Sequence, residues 1–212
     1  MSGYPLREVS FEIAGPAAMF TRPDTGATPI SYPVPTYSAV KGMFEAVARR
    51  GRAYISPTRV EICEPIRYES YITNYGGPLR KPEQIRKGNN YQLLATILVD
   101  VRYRAYGVVE VTGSGVGRIN PGHALEDIFQ RRLRNGQCFY IPCLGWKEFI
   151  PSYFGPLRTD SRPDESLDLI IPSLLYSVFD SPTNGEVKPS YRRNVRVQHG
   201  VLRYEVEDSS AH

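Results

Sequence analysis

The sequence predicts an α+β fold on three observations: the order of its elements, the two-residue alternation of its strands, and the capping residues that bound its two helices. The order reads strand, helix, strand, insertion, strand, helix, strand. That is the order of a ferredoxin-like sandwich, one sheet with two helices on one face. Beyond residue 155 the chain becomes more polar and mostly β in character, so 156–212 reads as a second, small antiparallel β unit.

Each element has its own warrant. In "REVSFEIAG" Val9, Phe11 and Ile13 point one way and Glu8, Ser10 and Glu12 the other, the pattern of a half-buried strand. A loop rich in Pro, Gly and Thr runs from Gly15 to Pro35. In "TYSAVKGMFEAVARRG" Thr36 suits an N-cap, and Tyr37, Val40, Phe44 and Val47 form an apolar stripe at helical spacing. Gly51 can end that helix. A second strand is expected over roughly 53–69, with Pro65 marking an edge or a bulge. Residues 70–92, "SYITNYGGPLRKPEQIRKGNNYQ", lack a long apolar period and read as an insertion projecting from the core.

From Leu93 to Val111 the chain is strand-like. Val99, Val101, Tyr103 and Ala105 share one face, and Asp100, Arg102, Arg104 and Tyr106 share the other, open one. Asn120 and Pro121 suit the cap and first turn of a second helix, and Gly136 its end. Leu125, Ile128, Phe129 and Leu133 form its buried stripe. "QCFYIP" and "LGWKEF" read as strand material. "NVRVQHGVLRYEV" reads as a closing hairpin with His199-Gly200 near its turn.

Composition narrows the function classes. A hydrophobic content of 41% supports a real core. The net charge of +4 favours an anionic partner, and the basic residues cluster, from Arg80 to Arg104 and from Lys188 to Arg203. The 15 tyrosines suit stacked bases or ordinary strands. Cys63, Cys138 and Cys143 form no C-x-x-C pair and are odd in number, which points to reduced thiols and away from a disulfide framework or a zinc site. The start "MSGYPLREVSFEI" lacks the apolar run of a signal peptide, and no stretch approaches the ~20 apolar residues of a membrane span. A soluble, cytoplasmic protein is expected.

Several motifs bear on chemistry. "GSGVG" misses a dinucleotide fingerprint because Arg118 stands where G-x-G-x-x-G needs its last glycine, though such a loop can offer N–H groups to a phosphate. At ~100° per residue, Arg131 and Arg134 fall opposite the apolar stripe. Arg132 falls inside it, where a structural carboxylate or an RNA phosphate would hold it. Arg80, Lys81, Arg86 and Lys87, with Tyr71, Tyr75 and Tyr91, give the insertion the cations and rings that suit single-stranded nucleic acid. His123 lies at a helix start, where a lowered pKa suits a general base, although a lone histidine is more often structural. His199 reads as a turn residue and His212 as a terminal one.

The run "RRLRNGQCFYIPCLGWKEF" resembles Arg-Arg-x-x-x-Gly-Gln-x-Phe-x-x-Pro-x-Leu-Gly-Cys-Arg-Glu-Phe of the CRISPR-associated Cas-five family, subtype I-C. "FTRP" and "SYPVPTYSAVKGMFEAV" resemble the same family's first strand, loop and helix. The similarity covers about the first 155 residues. It implies an RNA-recognition-like N-terminal domain over 1–155, a smaller β-rich C-terminal domain, and a place in the crRNA-guided surveillance complex called Cascade. There the family member grips the 5′ handle of the crRNA and caps the backbone filament. Its partners are crRNA, the backbone (Cas-seven) subunits and the large subunit, with no small-molecule cofactor and no membrane. The subtype often also cuts precursor crRNA without metal, the repeat's 2′-hydroxyl attacking the adjacent phosphate with help from a Tyr or His late in the first helix and a Lys-His pair opening the second.

This chain departs from that pattern at the catalytic positions. Counting from Lys41-Gly42, the Tyr or His position is Ala48. Counting back from Arg131-Arg132, the Lys-His pair falls on Ala124-Leu125. Neither alanine nor leucine can take a proton or hold a developing charge. The expectation is therefore a handle-binding structural subunit, contacting RNA through Tyr37, Lys41, Arg80, Lys81, Arg86, Lys87, Arg104, Arg131, Arg132 and Arg134. The alternative is a metal-independent endoribonuclease with its groups in altered positions, His123 being the candidate base. An unrelated ferredoxin-like RNA-binding protein is the third reading.

Overall fold

The computed structural model describes residues 8–75, 82–87, 91–112, 120–178 and 186–204, and one antiparallel sheet organises them. The elements are β1 (Glu8–Ala18), α1 (Tyr37–Val47), β2 (Ala53–Ile62), β3 (Tyr68–Tyr75), α2 (Pro82–Arg86), β4 (Tyr91–Val111), α3 (Pro121–Arg134), β5 (Tyr153–Gly155), β6 (Leu169–Ser177), β7 (Ser190–Gln198) and β8 (Val201–Arg203). The strands lie in the order β5-β1-β4-β2-β8-β7-β6, and β3 pairs with β4 off that path. β4 is long enough to hold β1 along one edge and both β2 and β3, end to end, along the other.

Alternation sets the core. Phe11 pairs with Ala105 and Ile13 with Tyr103 across β1 and β4, and all four are buried. Phe11 meets Phe44 of α1 edge-on at 4.7 Å, and Phe44 meets Phe129 of α3 at 5.6 Å. One chain of rings thus joins the sheet to both helices, so α1 and α3 cover the same face. Burying each such ring contributes about 1.5–3 kcal/mol. Both expected caps form: the Thr36 hydroxyl accepts from the Ala39 N–H at 3.2 Å, and Asn120 Oδ1 accepts from the Gly122 N–H at 2.9 Å. Each contributes about 1 kcal/mol. Gly136 ends α3 at φ +64°, and the His199-Gly200 turn joins β7 to β8 with both residues at positive φ.

Five expectations are corrected. α1 stops at Val47, before Gly51, because Ala48 is already extended. The strand expected over 53–69 is two: β2 ends at Ile62 and β3 begins at Tyr68. Pro65 lies in the break and has no N–H to offer a ladder. The insertion over 70–92 is a hairpin, β3 running back along β4 from Tyr68↔Leu98 to Tyr75↔Tyr91, with α2 between the two strands. "QCFYIP" and "LGWKEF" form no strand. Their segment is a loop pinned under the end of β1, where Leu144 accepts from the Met19 N–H at 2.9 Å. Gly145 there sits at φ +90°, and a Cβ on it would lie 1.9 Å from the Met19 carbonyl oxygen. The strand that closes the sheet beyond β1 is β5 instead.

The fifth correction concerns the face of the sheet away from the helices. Glu12 belongs to the polar side of β1 by pattern, yet it is 0% exposed. Residues from the segment after β5 lie over it: its Oε2 accepts from the Arg158 N–H at 3.0 Å and from Ser161 Oγ at 2.5 Å. That segment leads to β6, and β8 then pairs with β2, so the sheet runs on past residue 155. Among the described residues no helix is long and apolar enough to cross a membrane.

Candidate nucleic-acid interface

The carboxyl ends of α1 and the residues around the end of α3 converge. A helix leaves its last carbonyls without intrahelical donors. At the end of α1 three donors from the α3 region supply them. Arg132 Nη1 donates to the Val47 carbonyl at 2.9 Å, and the Phe139 and Tyr140 N–H groups donate to the Ala46 carbonyl at 2.7 and 3.1 Å. Arg132 thus takes neither a carboxylate nor a free position for a phosphate. It caps α1, a cation at the negative end of a helix dipole.

Around this junction the surface is basic and aromatic. Arg49 and Arg50 are exposed just past α1, and Arg131 and Arg134 are exposed on the free side of α3. Phe139 and Tyr140 stand out at 62% and 46% exposure, ring centroids 5.8 Å apart. Two adjacent rings held in water beside four arginines fit single-stranded nucleic acid, where cations meet phosphates and rings meet bases. Arg131 and Arg134 were legible from helical spacing. Arg49, Arg50, Phe139 and Tyr140 were not singled out. The available signal was the position of the two rings three and four residues after the glycine that ends α3.

Of the other expected RNA contacts, Tyr37 and Arg104 are used inside the protein. Tyr37 is core: it stacks on Tyr176 at 4.3 Å, meets Tyr204 edge-on and shares a hydrogen bond with Ser56 Oγ at 3.0 Å. Lys41 is half-buried, its Nζ 5.0 Å from the centre of the Tyr54 ring. Arg86 and Lys87 are exposed at the end of α2, separated from α3 by the whole of β4. Arg80 and Lys81 lie outside the described residues, as does "GSGVG".

Arg104 is the clearest correction. Its side chain, 16% exposed, donates from Nη2 to the Arg158 carbonyl at 2.7 Å and from Nε to Ser161 Oγ at 2.8 Å. Ser161 Oγ in turn donates to Glu12, and Glu61 lies 3.5 Å from Nη1. Tyr106, also expected on an open face, is buried beside it and donates to Glu61 at 3.1 Å. The face is polar as read, but a second layer covers it and uses its charges internally.

At the positions matching the family's catalytic groups, Ala48 is 3% exposed and Leu125 is 1% exposed. Leu125 belongs to the stripe that packs α3 on the sheet, so a histidine there would be buried too. His123, in the first turn of α3, is partly exposed.

Comparison with known proteins places these features. The profile for CRISPR-associated protein (Cas_Cas5) matches residues 9–179. A CRISPR pre-crRNA endoribonuclease Cas5d of Mannheimia succiniciproducens is 30% identical over 172 residues, 73% of this chain and 74% of that one. The crystal structure of a CRISPR-associated protein superposes with a TM-score of 0.71 at 20% identity, covering 99% of this chain and 97% of that one. A chain of a CRISPR RNA-guided surveillance complex shares the fold at a TM-score of 0.51 and 17% identity, covering 93% and 92%. The profile match runs from β1 through β6 and takes in the α1–α3 junction, and on it the chain belongs to the CRISPR-associated protein (Cas_Cas5) family.

Proposed function

We propose that this chain is the crRNA-handle-binding subunit of a type I-C-like Cascade surveillance complex. It grips the 5′ handle and caps the backbone filament, acting in the cytoplasm with crRNA, the Cas-seven backbone subunits and the large subunit as partners. The observation that carries this reading is the α1–α3 junction, where the segments bearing exposed Arg49 and Arg50, exposed Arg131 and Arg134, and exposed Phe139 and Tyr140 meet. The arginines neutralise handle phosphates and the rings receive unstacked bases, which needs neither metal nor small-molecule cofactor. Arg86 and Lys87, on the β3–β4 hairpin, form a second basic patch, apart from the junction, for the RNA or a neighbouring subunit. The order β5-β1-β4-β2, with α1 and α3 on one face, supports a ferredoxin-like unit in residues 1–155. The described residues beyond 155 form the smaller β unit that lengthens its sheet through β8. The test is filter binding of a 5′-handle RNA and a scrambled RNA of equal length. Preference for the handle, lost on replacing Phe139 and Tyr140 by Ala, is expected; equal binding of both RNAs by wild type refutes the reading.

A second reading adds catalysis: a metal-independent endoribonuclease on CRISPR repeat RNA. It is favoured by the name of the Mannheimia relative and by the partly exposed His123 at the start of α3. A base at His123 would take the proton of a repeat 2′-hydroxyl. That oxygen would attack the adjacent phosphorus and expel the 5′-oxygen, which takes a proton from solvent water, giving a 2′,3′-cyclic phosphate and a 5′-hydroxyl. Against it stand Ala48, Ala124 and Leu125, which offer no partner base and no cation for the developing charge. Incubating wild type and His123→Ala with cognate repeat RNA in EDTA separates the two. A specific cut made by wild type and lost in the variant establishes the second reading; intact RNA from both, with binding retained, leaves the first.

A further inference from the structure

A cleft of about 610 Å³, which shares no lining residue with the α1–α3 junction, lies between the loop after β1, the start of β3 and the β6–β7 hairpin. Its volume is that of a site for a small molecule or a single nucleotide, ~300–1,000 Å³. Three tyrosines line it: Tyr32, which is buried, and Tyr68 and Tyr191, which are 43% and 47% exposed. Tyr32 is fixed, its hydroxyl accepting from the Leu175 N–H at 3.1 Å. Arg22 also lines the cleft, 5.9 Å from the centre of the Tyr32 ring, and Asp24 holds its guanidinium at 2.7 Å. Paired in this way, Arg22 offers a flat stacking face more than a free charge.

Free charge comes from the next strand. Arg193 and Arg196 of β7 are the cross-strand partners of Ser173 and Ile170, two lining residues of β6. Both arginines are exposed, and neither has an ion-pair partner among the described residues. The basic run from Lys188 to Arg203, which the α1–α3 junction does not use, therefore lies on the strand next to the cleft's β6 wall, with Asn194 at positive φ between the two arginines. Rings and an Asp24-paired guanidinium in the lining, with exposed cations on the adjoining strand, match a planar group attached to anions.

We propose that this cleft is a second nucleic-acid site, which takes one unpaired base between Tyr68 and Tyr191 and sets the flanking phosphates on Arg193 and Arg196. The ligand class is a single-stranded polynucleotide. The site is distinct from the junction and does not depend on the handle reading. It gives the C-terminal hairpin a role in guiding a strand across the protein.

The probe is a fluorescent ten-nucleotide oligo-uridylate, with oligo-thymidylate alongside, titrated by anisotropy onto the full chain at several salt concentrations. Tyr191→Ala should weaken binding about 5- to 100-fold without changing the salt slope, since stacking carries no counterions. Arg193→Ala with Arg196→Ala should weaken it and lower the slope by about 1.4, two single-strand phosphates at ~0.7 each. Both tyrosines and both arginines are exposed, so the variants should fold, which unchanged circular dichroism verifies. A loss common to both oligomers supports the class as stated, and a loss confined to uridylate supports it with a ribose contact. An arginine effect with none from Tyr191→Ala or Tyr68→Ala overturns the proposal, since it leaves only a solvated basic face. No effect from any variant overturns it as well.

Discussion

Replacing Arg104 by alanine should cost stability and spare RNA binding. The guanidinium ties the β4–β2 pair, through Glu61, to the segment after β5, through the Arg158 carbonyl and Ser161. Glu12, at 0% exposure, reaches Arg104 through Ser161 and lies 3.9 Å from it directly. Breaking a buried pair by removing one partner costs ~3–5 kcal/mol. Glu12 keeps the Arg158 N–H at 3.0 Å and Arg102 at 3.5 Å, which lowers the cost. The expected loss is about 2–4 kcal/mol, and the Ser161 hydroxyl, 3.2 Å from the Arg158 carbonyl, remains to partner that oxygen. Urea denaturation followed by circular dichroism measures it, and handle-RNA affinity under native conditions gives the second readout. A large drop in midpoint with affinity within twofold of wild type is expected. Unchanged stability with a tenfold loss of affinity would refute the reasoning and return Arg104 to the RNA surface.

Three further outcomes are expected. Arg132→Ala should destabilise the fold by about 1.5–3 kcal/mol, a charge-assisted bond to the end of α1 being lost; a fully stable variant in urea titration would show that the cap is dispensable. Gly145→Ala should destabilise by at least ~1–2 kcal/mol from its left-handed conformation alone, and by more because the new Cβ meets the Met19 carbonyl; an unshifted thermal midpoint would contradict that close approach. Burial pushes the Cys63 thiol up to about 12, and burial together with the Glu61 charge pushes the Tyr106 phenol to about 12, against ordinary values of 9.0 and 10.0. The unfolded chain therefore ionises first. The stability these groups provide is complete below pH ~9 and falls as pH rises toward 12, by up to ~1.4 kcal/mol per unit for each group. Denaturation midpoints that stay level from pH 8 to 11 would contradict this.

The elements legible in the sequence were those governed by neighbours in the chain. Thr36 and Asn120 cap the helices they precede, and Gly136 and the His199-Gly200 pair take the positive φ that their turns require. The misread residues answer to partners far along the chain. Glu12 is polar by alternation and buried because Arg158 and Ser161 arrive from 146 and 149 positions away. Arg132 falls at the edge of its helix's apolar stripe, but its acceptor is 85 positions back, a backbone carbonyl that no side-chain pattern announces. Tyr37 looked like part of a binding face because its stacking partner, Tyr176, comes from β6. Phe139 and Tyr140 had strand propensity and no strand to pair with, since their N–H groups serve the end of α1. Propensity marked them as β; tertiary contacts made them a surface.

The central claim is that the α1–α3 junction holds RNA phosphates. Its most direct test is the salt dependence of handle-RNA binding by wild type and by an Arg131→Ala, Arg134→Ala variant. Both side chains are exposed on α3, so the fold should be unaffected. If each arginine neutralises one phosphate of a single strand, the slope of log K against log salt should fall in magnitude by about 1.4. Affinity should drop most at low salt and the two curves should approach each other as salt rises. Parallel curves with equal affinity would place the handle elsewhere on the protein and contradict the account.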